Sequence, residues 1–153
     1  MNFDKAFEII IGHEGGYVHD YRDPGGETKF GISKRAYPSL NIKDLTLADA
    51  KVIYLADYWV EIEADLLPAS ARLMVFDCAV NCGVAAAKKL LQRAAGVKDD
   101  GIIGPKTKAA LISTPDIDRK FAGHWLQYYT DLKHFDIYGR GWIRRVSKDL
   151  IGY

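Results

Sequence analysis

The chain has 153 residues, of which 48% are hydrophobic and 27% charged. This balance suits a globular domain able to bury a core and excludes a disordered chain. Twenty-one Lys plus Arg against twenty Asp plus Glu leave a net charge of +1, so no strong global field draws the protein to nucleic acid, and no apolar run approaches the ~18 residues of a membrane span.

Phe3, Phe7, Ile10 and Ile11 recur at helical spacing and predict an amphipathic helix over residues 2–13, stopped by Gly15-Gly16. No basic segment precedes an apolar stretch in MNFDKAFEII, so the N-terminus does not read as a signal peptide. Residues 17–32, YVHDYRDPGGETKFGI, predict a loop or irregular hairpin turning at Asp23-Pro24-Gly25-Gly26. Everything after it reads as helical. Ser33 can cap a short turn that ends before Pro38, and Thr46 with Asp49 resembles a capping box opening a helix that runs to Val60. Pro68 opens a segment carrying Leu73, Met74, Phe76, Ala79 and Val80 that breaks near Gly83. Ala85 to Ala95 form a helix ended by Gly96, and Pro105 begins a short one to Ile112. Residues 116–134 predict a long helix with Phe121, Trp125, Tyr128 and Leu132 on one side, and residues 140–151 a last one. The class is mainly α, with a small β or loop excursion after the first helix.

Cys78 and Cys82 stand four residues apart, on one face of a predicted helix. A disulfide inside a regular helix is geometrically awkward, and two cysteines without His partners make a poor zinc site. They read as small buried residues of a protein folded in a reducing compartment. His13, His19, His124 and His134 show no metal-ligand spacing, and no cofactor is implied.

The stretch HEGGYVHDYRDPGGETKFGI, residues 13–32, carries the chemistry. Glu14 closes the first predicted helix, where the negative end of the helix dipole and nearby apolar surface both disfavour ionisation and raise its pKa. A carboxylic acid that stays protonated is what a glycosidase needs to protonate a leaving oxygen, and a second group must stand across the scissile bond. Asp23, nine residues on, is one candidate, with Asp20 and Glu27 as others, and the Thr28 hydroxyl can position a water. Asp23 before Pro24 also suits a turn, and Thr28 a plain strand position. Tyr17 and Tyr21 are candidates for stacking on sugar rings. Asp77 and Asn81, polar residues in an apolar helix, are either satisfied core groups or saccharide contacts. Lys29 and Arg35 suit either an acidic ligand group or solvent. The C-terminal run with Arg140, Arg144, Arg145 and Lys148 is either a solvated face or one turned to an anionic cell wall.

HEGGYV…DPGGETKFGIS resembles the signature of glycoside hydrolase family 108, the phage-endolysin and secretion-activator type of N-acetylmuramidases. The resemblance implies that Glu14 is the catalytic acid. The order Glu, Asp, Thr is also similar to phage-type lysozymes, which implies that Asp23 and Thr28 hold the attacking water, although Thr28 falls one residue short of the usual interval. D-x-A-V-N-x-G (Asp77 to Gly83) and D-G-x-x-G-P-x-T (Asp100 to Thr107) resemble the peptidoglycan-binding region that accompanies this catalytic segment. Asp100-Gly101 and Gly104-Pro105 also read as turn and helix-start chemistry.

The resemblance implies a lysozyme-like helical fold, with a catalytic segment over residues 1–70 and a peptidoglycan-binding helical segment over 71–153 packed on it. It implies a muramidase that cleaves the β-1,4 bond between N-acetylmuramic acid and N-acetylglucosamine and acts on peptidoglycan glycan strands as a monomer. Such a protein would be made in the cytoplasm and reach the cell wall by holin- or export-dependent release. A wall-binding or secretion-accessory protein without turnover, and a lytic transglycosylase, are the other readings.

Overall fold

The computed structural model of the chain describes residues 1–12, 16–19 and 26–152. Two compact units emerge: an N-terminal unit of Asn2–Asp57, and a C-terminal unit of Tyr58–Tyr153 together with Met1.

The N-terminal unit opens with α1, Phe3–Ile11, capped by the Asn2 side chain, which accepts from the Lys5 N–H. Three short strands follow, β1 (Val18–His19), β2 (Glu27–Lys29) and β3 (Ile32–Ser33), paired antiparallel in that order. The turn expected at 23–26 falls mostly outside the described residues. Ser33 caps the next turn as expected, its hydroxyl accepting from the Ala36 N–H at 3.2 Å. α2, Leu47–Tyr54, starts at the expected capping box: Thr46 Oγ1 accepts from the Asp49 N–H, and the Asp49 carboxylate accepts from the Thr46 N–H. The helix does not stay α to its end but widens into a π-helical turn, Leu55–Val60. Ala6, Phe7, Ile32, Ile42, Ala50 and Tyr54 form the buried centre. Phe7 meets the Tyr54 ring edge-on, and the Tyr54 hydroxyl donates to the Phe30 carbonyl.

The C-terminal unit is helical: α3 (Arg72–Cys82), α4 (Val84–Ala94), α5 (Pro105–Ser113), α6 (Ile117–Thr130) and α7 (Phe135–Ile151). Gly83, at φ +90, ends α3 and starts α4, a backbone state that favours glycine. Trp59, Phe76, Leu90, Leu91, Phe121 and Trp125 fill the core, with Trp59 edge-on to Phe76. Cys78 is buried and Cys82 half-buried, both as free thiols. The Cys78 thiol, then Trp125 and Tyr129, pull the Cys82 thiol down to about 7 against the effect of burial.

The expected long helix over 116–134 is present as α6, Ile117–Thr130, but it stops earlier, and the last helix starts earlier. α6 ends at Thr130 and α7 begins at Phe135, five positions before the expected start at 140. Gly139 and Gly141 weaken the helical signal there. Gly139 is used for packing: a Cβ at this position would stand 2.7 Å from the Phe135 ring.

Candidate functional site

Glu14, Asp23 and Tyr21 lie outside the described residues, as do His13 and Asp20. Their chemistry therefore stands on the sequence. The strands that flank them are described, and their register sorts the remaining candidates. Val18 pairs with Thr28 and His19 with Glu27, while Thr28 also pairs with Ser33. Alternation along β2 turns Glu27 and Lys29 to one face and Thr28 to the other. The Tyr17 hydroxyl donates to the Glu27 carboxylate at 2.9 Å, so Tyr17 belongs with Glu27. The hydroxyl of Thr28 and the ring of Tyr17 thus serve opposite faces of this small sheet. Lys29 reaches the Lys43 carbonyl at 2.8 Å and lies 5.4 Å over the Phe30 ring, which engages its charge within the N-terminal unit.

In the C-terminal unit the structure joins Asp77 to Asn81. The Asn81 amide nitrogen donates to the Asp77 carbonyl at 2.8 Å and to its Oδ1 at 3.0 Å. Asp77 is 2% exposed, and Arg145 of α7 donates to the same Oδ1 at 3.0 Å. Burial pushes the Asp77 carboxyl up, against the pull of the Arg145 guanidinium and the contacts with Asp149 and Asn81, and the net direction is up. Arg145 therefore has an interior partner, which the sequence did not reveal.

The D-G-x-x-G-P-x-T stretch is organised by a residue that sequence reasoning passed over. Gln92, 1% exposed on α4, donates from Nε2 to Asp100 Oδ1, the Ile102 carbonyl and Thr107 Oγ1, and accepts the Gly101 N–H at 2.7 Å. Thr107 is buried. A glutamine beside Leu90 and Leu91 on an otherwise apolar face was the available signal.

Among the described residues, no group of three or more His, Cys, Asp and Glu could hold a metal ion. No helix among them is long and apolar enough to cross a membrane.

No curated protein matches the chain. The chain is similar to a solved structure titled "Structure of Brucella abortus SagA", at 35% identity and a TM-score of 0.88, over 97% of this chain and 91% of that one. The family model for glycosyl hydrolase 108 matches residues 7–83, half of the chain, from within α1 through the three strands to the end of α3. The fold is accordingly mainly α and lysozyme-like, with a small sheet after the first helix. On a match of that extent, and a likeness that runs nearly end to end, the chain belongs to the glycosyl hydrolase 108 family, a family of the peptidoglycan-hydrolase type.

Proposed function

We propose that the protein is an N-acetylmuramidase that hydrolyses the β-1,4 bond between N-acetylmuramic acid and N-acetylglucosamine, with Glu14 as general acid. The observation that carries this reading is the position of the motif: HEGGYV…DPGGETKFGIS lies wholly inside the matched residues 7–83. Glu14 gives its proton to the glycosidic oxygen as the C1–O bond breaks. Water attacks C1 and yields its proton to the second group, Asp23, with the Thr28 hydroxyl steadying that water. Tyr21 offers a ring on which a sugar face stacks, while Tyr17, held by the Glu27 carboxylate on the opposite face of the sheet from Thr28, has no part in steadying the water. No metal or cofactor enters the scheme. The substrate is the glycan strand of the cell wall, to which the residues over 71–153 also bind.

The test is mass spectrometry of the fragments released from purified peptidoglycan. Fragments ending in reducing N-acetylmuramic acid are expected. Reducing N-acetylglucosamine ends would assign the other linkage, 1,6-anhydro ends a lytic transglycosylase, and no release a binding protein without turnover. Each of those three results contradicts the proposal.

A further inference from the structure

A buried ion pair contributes little net stability, because desolvation offsets most of the attraction between the charges. Asp77, buried, and Arg145, with 32% of its side chain exposed, join α3 to α7 at part of that cost, 68 positions apart in sequence. The third member of the cluster is not buried. Asn81 is exposed, one turn beyond Asp77 on α3. Its amide nitrogen is directed back at two atoms of Asp77, the carbonyl oxygen and Oδ1. Both accept hydrogen bonds, and Oδ1 already receives the Arg145 guanidinium. Turning the amide over would set its oxygen against both of them, so chemistry alone fixes which end faces inward. The amide oxygen lies at the other end of the group and accepts no hydrogen bond from the described residues. Gly83, two positions on, leaves the neighbouring surface clear: a Cβ added there would meet nothing within 4 Å.

We propose that Asn81 is a glycan contact whose amide oxygen is held outward as a hydrogen-bond acceptor by Asp77 and Arg145. The ligand group it takes is a donor on the sugar, a hydroxyl or the N–H of an acetamido group. A lactyl or peptide carboxylate, which only accepts, is refused at this atom. Asp77 and Arg145 do not touch the glycan; they are positioning residues, and Asp77 takes that role in place of the direct saccharide contact its sequence allowed. The inference rests on the reading of the chain as a peptidoglycan-glycan hydrolase.

The experiment measures binding of an N-acetylglucosamine–N-acetylmuramic acid tetrasaccharide by calorimetry, in a Glu14→Gln background that leaves the glycan uncut. Asn81→Ala is expected to weaken binding about three- to tenfold, the loss of one hydrogen bond. Asp77→Ala, which removes the side-chain oxygen that Asn81 and Arg145 share and leaves only the backbone carbonyl to hold the amide, should weaken it by up to a similar factor, and the double variant no further. Thermal melting establishes that each variant is folded. NMR of the Asn81 side-chain amide supplies a readout that a merely structural Asp77 would not move. Slowly exchanging N–H signals displaced from those of a solvated asparagine are expected in the parent, and in Asp77→Ala they should move toward solvated positions and exchange faster. Binding within about 1.5-fold of the parent in folded Asn81→Ala, less than one hydrogen bond accounts for, overturns this inference alone. A parent that does not bind the tetrasaccharide at all overturns the proposed function with it.

Discussion

α3 and α4 each bury a polar side chain, and the two clusters end differently. Around Gln92 every bond turns inward: the amide holds Asp100, Ile102 and Thr107 from one end and the Gly101 N–H from the other. That cluster shapes the connection between α4 and α5. Around Asp77 the chain of bonds begins at Arg145, passes through the buried carboxylate and finishes on the exposed Asn81. A closed cluster accounts for itself as structure, because each buried polar group has its partner. An open one, ending on an acceptor at the surface, is where binding is to be sought.

Gln92→Leu should be the most damaging change to this pair of clusters. It removes the partner of the Gly101 N–H and of the Ile102 carbonyl together, and about 3 kcal/mol of stability is expected to go with them. Chemical denaturation would measure it, and glycan affinity in the folded fraction should stay at the parent value. A loss of affinity at unchanged stability would show that the closed cluster is a binding element after all.

Arg145→Met leaves the Asp77 carboxylate buried without its cation. Arg145 keeps 32% of its side chain exposed, which places the cost at about 2 kcal/mol, below the usual figure for a fully buried pair. The same cluster gives a pH signature. Asp77 is faced by Asn81, Cys78 and Cys82 from its own helix, by Arg145 and Asp149 from α7, and by Tyr129 from α6. Burial leads the shift and raises its pKa. The unfolded chain therefore releases this proton first, and the native state holds more protons between the two values. Stability contributed by Asp77 must fall as pH rises from the ordinary carboxylate value toward the raised one. Melting temperature followed against pH should show that fall in the parent, starting at the same pH but extending further up and running deeper in Arg145→Met, and absent in Asp77→Asn. A rise over the same interval would contradict the assignment.

The smallest effect serves as a control in the N-terminal unit. Thr46→Ala removes the capping bond to the Asp49 N–H and should cost ~1 kcal/mol by denaturation, with no change in glycan affinity. A change in affinity would tie α2 to the binding surface.

Much of the fold was legible because its signals are local. The capping box at Thr46, the glycines at 83 and 96 and the proline at 105 each mark a boundary through chemistry confined to a few residues. The start of α7 was not legible, because its glycines look like breakers until the Phe135 ring is seen packed over Gly139. For the candidate site, the Glu14 motif is contiguous, and its proposed role rests on the sequence because Glu14 lies outside the described residues. The cross-strand partners of Thr28, Val18 and Ser33, could not be read from the sequence, since they depend on a strand register that no spacing reveals. The pairing of Asp77 with Arg145 spans most of the C-terminal unit, so the basic run at the C-terminus reads from sequence only as a solvated face or one turned to the cell wall. Gln92 looked like one more helix former until its partners in the following loop were in view.

The central claim, that Glu14 protonates the leaving oxygen, is tested most directly by comparing the parent with Glu14→Gln. The readout is the rate at which reducing N-acetylmuramic acid ends appear from purified peptidoglycan. The amide keeps the shape of the side chain and has no acidic proton to give. The account predicts a folded variant, with the parent's melting behaviour and affinity for the wall, and a rate lower by about 10²–10⁴-fold. A folded Glu14→Gln protein that keeps more than about a tenth of the parent rate, far above what loss of a general acid allows, would contradict it.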